Sequence, residues 1–259
     1  MEFLSAPDFL GTPGVGLWTF LALMLASLVT SFIGVFTGAA GGIVLLGLMA
    51  TVMPPLALIP VHTVVMLGSG MTRTMIMWRH VMRAAILPFV IGALIGAAAG
   101  AKVFVALSTV WLEFILGTFI LLVTWMPKLG RFGGERGRFG VLGFVTTFVG
   151  VFVSATGTLL APFVAASTPD RRVHVATMGA LMMFSHLAKI AAFGVIGFAV
   201  GRYAPLMLAM IAVGAVGNWF GEVALLRTKE QHFRLVLQVA LTLLGARLLW
   251  SAARGAGWF

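Results

Sequence analysis

Two cations stand where an apolar chain tolerates them least. Arg73 and Lys189 each lie inside a long hydrophobic stretch, where an ionisable side chain costs several kcal/mol unless it has a partner or a function. The offset that superposes Val29 on Val145 also superposes Arg73 on Lys189, so equivalent points of two halves both carry a positive charge. Such a pair suits attraction and hand-over of an anion; the structural alternative is snorkelling or pairing with carbonyls. His186, one helical turn before Lys189, and His62, near the start of its own apolar stretch, are candidates for carrying a proton. A satisfied buried imidazole is the alternative for both.

The second constellation is a pair of chain breaks. Residues 37–42 read Thr-Gly-Ala-Ala-Gly-Gly, and residues 154–158 read Ser-Ala-Thr-Gly-Thr, each inside an apolar block. A helix that restarts after such a break presents unpaired N–H groups and partial positive charge, which bind anions. Gly38, Gly41, Gly42 and Gly157 would let an oxyanion approach the backbone, and Thr37, Ser154, Thr156 and Thr158 offer hydroxyl donors. If both tips lie near the membrane midplane, helices starting near Gly38 and Ala155 hold a tetrahedral anion between them. Small residues also serve simply to pack membrane helices, and that is the reading preferred for Gly92, Gly96 and Gly100.

The elements that would position these residues are membrane helices. Hydrophobic residues make up 61% of the 259 and charged residues only 9%, against roughly 25% charged in soluble domains. Eight apolar blocks cover residues 17–53, 56–77, 84–107, 110–126, 139–166, 173–200, 204–226 and 233–251. The first is too long for one crossing and the fifth is broken, so both read as helical hairpins. Counting each hairpin twice gives ten segments, five on either side of the polar stretch 128–138. The organisation expected is an N-terminal segment 1–16, a first repeat 17–127, a cytoplasmic linker 128–138 and a second repeat 139–259. The segment 1–16 has no Lys or Arg and so lacks the basic start of a cleaved signal peptide. Whether the hairpins cross or re-enter stays open.

Duplication is written in the chain. Val-Thr-Ser-Phe-Ile-Gly-Val-Phe at 29–36 recurs as Val-Thr-Thr-Phe-Val-Gly-Val-Phe at 145–152, and Pro88 and Gly100 fall within one residue of alignment with Pro205 and Gly217. An odd number of segments per half makes the repeats inverted in topology. The positive-inside rule then orients them. With the N-terminus outside, the inner loops hold Arg79, Arg83, Lys128, Arg131, Arg136, Arg138, Arg171, Arg172, Arg227, Lys229 and Arg234, and the outer segments only Lys102, Arg202, Arg247 and Arg254. Both termini are expected outside. The net charge of +10 therefore marks cytoplasmic loops, not a nucleic-acid surface.

With its paired glycine-rich hairpins at 34–42 and 150–158, the small-residue helix 92–100 and the basic mid-chain stretch, the sequence resembles the sulfite exporter TauE/SafE family of membrane permeases over nearly its whole length. The resemblance implies transport of sulfite, an organosulfonate such as sulfoacetate, or a related sulfur-containing anion across the bacterial inner membrane. The fold class expected is all-α and integral to the bilayer, with two inverted repeats of about five helical segments each. No cofactor or metal is expected, and the partners are the anion, the lipid bilayer and a coupling ion, proton or sodium. Cysteine is absent, which excludes disulfides and thiol chemistry. An embedded enzyme is disfavoured because no nucleophile elbow, zinc-protease motif or Walker loop occurs. A secondary transporter, expected to be an exporter, and a passive anion channel both remain compatible with the sequence.

Overall fold

Runs of Leu, Val, Ile, Phe and Ala with few charges leave a backbone in hydrocarbon one economical way to satisfy its own N–H and C=O groups, the helix. The computed structural model describes residues 8–37, 40–125, 138–224 and 231–258. Among these the helices are α1 (Leu17–Thr37), α2 (Ala40–Met49), α3 (Pro55–Ile76), α4 (Arg83–Ala106) and α5 (Thr109–Trp125) in the first half. The second half has α6 (Arg138–Val153), α7 (Gly157–Ala165), α8 (Arg171–Val195), α9 (Ala204–Ala224) and α10 (Gln231–Gly255). Most of the 128–138 linker lies outside the described residues. Three described stretches are long and apolar enough to cross a bilayer: Arg83–Ala106, Ala176–Val195 and Val200–Phe220.

Near both breaks expected from the sequence a long helix is followed by a short one. The short arms, α2 with 10 residues and α7 with 9, rise about 15 and 14 Å at 1.5 Å per residue. The hydrocarbon core is about 30 Å thick. The described length of each is about half of that thickness. The second restart comes at Gly157, close to the Ala155 the sequence suggests; residues 38 and 39, where the first is expected, lie outside the described residues.

The chain forms two compact units. One comprises Met1–Val65, Thr109–Thr124 and Ala199–Phe259; the other comprises Met66–Ser108 and Trp125–Phe198. In the first unit α1 packs along α9, and α2 lies against α1 and α10. A methyl group at Gly217 of α9 would sit 2.2 Å from the carbonyl oxygen of Leu28, so only glycine permits that approach. Ser27 Oγ donates to the Met210 carbonyl at 2.8 Å across the same seam.

In the second unit α4 and α6 form the tightest pair, with α8 against both and α7 against α8. A Cβ at Gly92 would fall 1.9 Å from Gly140 O, and one at Gly143 2.1 Å from Phe89 O. The two backbones touch, the arrangement small residues permit between membrane helices. Around this seam lies a core of Ala85, Phe89, Ala93, Leu142, Leu160 and Leu181. Sequence-equivalent pairs thus recur: the first helix of each half, α1 or α6, packs on the fourth helix of the other half, α9 or α4.

Candidate functional site

The second break is where buried polarity concentrates. Helix α6 ends at Val153, Ser154 turns into the left-handed region with φ +56°, and Thr156 occupies the N-cap of α7. A non-glycine residue in that region costs about 1 kcal/mol or more, and persists only where the surroundings hold it. Lys189 from α8 supplies one such hold. Its Nζ donates to the Ser154 carbonyl at 3.0 Å, and the side chain is 0% exposed. Among the described residues no other Lys, Arg, Asp or Glu is buried.

The space around that ammonium is set by a missing side chain. A Cβ at Gly150 would stand 3.2 Å from Lys189 Nζ and 3.3 Å from Thr156 Oγ1, so the glycine lets charge and hydroxyl meet on one face of α6. The Thr156 and Thr158 hydroxyl oxygens are buried without a hydrogen-bond partner, an expensive arrangement for polar groups out of water. Thr156 makes no side-chain cap; in the first turn of α7 the Leu159 N–H donates to the Thr156 carbonyl at 3.0 Å, whereas those of Gly157 and Thr158 come too early for an intrahelical acceptor. Beside them a Cβ at Gly157 would meet only Met182 Sδ, at 4.0 Å. The tip therefore offers one cation, two hydroxyls and helix-end N–H groups next to unfilled space, a donor set made for an oxyanion. Thr147 and Ser185 extend the polar wall with a hydroxyl pair at 2.9 Å between α6 and α8.

The sequence-predicted residues divide accordingly. Ser154, Thr156, Gly157, Thr158 and Lys189 come together in the second unit, with His186 buried one turn before Lys189. In the first unit Gly41 is buried and Gly42 half-buried at the start of α2. There His62, 0% exposed, lies with Nε2 2.9 Å from the Gly42 carbonyl. A carbonyl only accepts, so Nε2 carries the proton and His62 ties α3 to the first tip. Gly38 and the side chains of Thr37 and Arg73 lie outside the described residues. The backbone next to Arg73 is placed: Thr74 Oγ1 is 2.8 Å from where a Cβ of Gly179 would be, about 15 Å along α8 from Lys189. Sequence reasoning missed Gly150, Thr147 and Ser185 as site residues. Ser185 could have been found, since it lies one turn before Lys189 on the same face.

A family model described as Sulfite exporter TauE/SafE matches residues 23–248. The chain belongs to this family. No curated protein and no solved structure matches it.

Proposed function

We propose that this member of the TauE/SafE family is a secondary transporter that exports a small sulfur-containing anion, sulfite or an organosulfonate such as sulfoacetate, and binds it at the α6–α7 break. The observation that carries this reading is Lys189: a fully buried lysine at a broken helix end, beside two buried hydroxyls that lack partners. An anion there supplies the counter-charge and the acceptors at once. The family is a transporter family, and the half-length arms α2 and α7 fit a binding site built from discontinuous helices. On the strength of the repeat, the first tip, Thr37 to Gly42, is proposed as an anion-contacting segment too. Arg73 is proposed as a cation on an access path, with His186 and His62 as proton-coupling candidates. Inverted topology, alternating access and termini on the outer side of the inner membrane complete the proposal, supported by the repeat and the charge count.

Binding titrations on purified protein test the site. Sulfite, sulfoacetate, taurine, sulfate and thiosulfate are compared on wild type and on Thr156→Val, which keeps the shape and removes the hydroxyl. The reading expects saturable binding of at least one of these anions, weakened several-fold by the substitution. Saturable binding that Thr156→Val leaves unchanged removes this hydroxyl from the site.

A further inference from the structure

Beside the first turns of α4, Trp78, Arg83, Ile86, Leu87 and Val90 line a shallow, open groove. The spacing 83, 86, 87, 90 runs along one face over the first two turns of α4. Trp78 closes the end from the short 3-10 turn Trp78–His80, which is docked on α8. Ile86 anchors the wall, packed with Met77 against Val81, Ala176 and Ala180, while Leu87 is 68% exposed.

The polar end of the groove carries one sign of charge. Arg79, His80 and Arg83 are all exposed, and no Asp or Glu occurs between Asp8 and Glu113. Asp170, which precedes α8, is bonded to the N–H of Val173. Arg83 opens a helix apolar enough to cross the bilayer, which puts its guanidinium at headgroup depth with the apolar stripe beneath it. Trp78 is the residue type that settles at that boundary.

We infer that this groove binds an anionic phospholipid, its phosphate held by Arg83 and Arg79 and one acyl chain laid along Ile86, Leu87 and Val90. Guanidinium pairs recognise phosphate through bidentate hydrogen bonds, and basic pockets at the membrane surface select anionic headgroups. A zwitterionic lipid would bring a second cation beside Arg79 and Arg83.

Native mass spectrometry of the full chain, released from detergent with equal amounts of phosphatidylglycerol and phosphatidylcholine, tests the inference. One phosphatidylglycerol per chain should be retained under conditions that strip phosphatidylcholine. The double variant Arg79→Ala/Arg83→Ala should lose that retention at least tenfold, and Leu87→Glu, which places a carboxylate in the groove, should do the same. Lys102→Ala, removing an exposed cation near the other end of α4, should retain the lipid as wild type does. All four positions are on the surface, so the variants keep the fold. Equal retention of both lipids by wild type, or wild-type retention by the double variant, overturns the inference.

Discussion

Lys189 is the residue on which the functional reading turns, and its burial sets the size of the effect expected from it. Removing one charge contact to a partly desolvated anion costs on the order of 1.5 to 3 kcal/mol, roughly ten- to a hundredfold in affinity. Lys189→Ala should weaken sulfur-anion binding by that factor in a titration, and Lys189→Arg should retain more. Gly157 makes a separate prediction, because a Cβ there meets only Met182 at 4.0 Å. Gly157→Ala should fold and bind, whereas Gly157→Leu should fill the space beside the α7 N–H groups and abolish binding in a monodisperse protein. Normal binding by the leucine variant would place the anion elsewhere. Lys189 was legible in the sequence because a cation inside an apolar block is conspicuous. Gly150 was not, since its role depends on which side chains from α7 and α8 fold back over it, and a glycine in a membrane helix reads first as packing.

At the level of helices, the α4–α6 seam is the most constrained feature of the second unit. Any side chain at Gly92 or Gly143 collides with a backbone carbonyl of the facing helix, and backbone cannot yield as a flexible side chain does. Gly92→Leu or Gly143→Leu should therefore lower the thermal unfolding midpoint in detergent markedly, with a cost of at least the roughly 1–3 kcal/mol typical of overpacking. Gly194→Ala, with nothing within 4 Å of its Cβ position, should leave the midpoint within error. Equal midpoints for all three variants would mean that the seam is not close-packed. The small-residue run 92–100 announced such a seam in the sequence, but not its partner. Pairing of α4 with α6 reaches across the mid-chain stretch, and local periodicity carries no information about that. The two breaks were legible because apolar blocks too long or too interrupted for single crossings must be divided. The described lengths of α2 and α7, about half the thickness of the hydrocarbon core, favour arms that re-enter rather than cross.

For the molecule as a whole, the repeat visible at 29–36 and 145–152 reappears as a recurring helix pair in each compact unit, α1 with α9 and α4 with α6. The inverted arrangement proposed from it has a direct check in this cysteine-free chain. Single cysteines near Gly133 and Thr168 should be shielded from an impermeant external thiol reagent, and one near Ala6 should be labelled. External labelling near Gly133 would reverse the orientation. The central claim, that an anion is transported through a site at the α6–α7 break, is tested most directly by counter-flow in proteoliposomes. Vesicles preloaded with unlabelled sulfite should accumulate external labelled sulfite transiently above its equilibrium level when they hold the wild-type protein. Gly157→Leu should abolish that overshoot, and Lys189→Ala should reduce it sharply. A wild-type flux that rises linearly with concentration and shows no overshoot would identify a channel, and an undiminished overshoot in both variants would contradict the site.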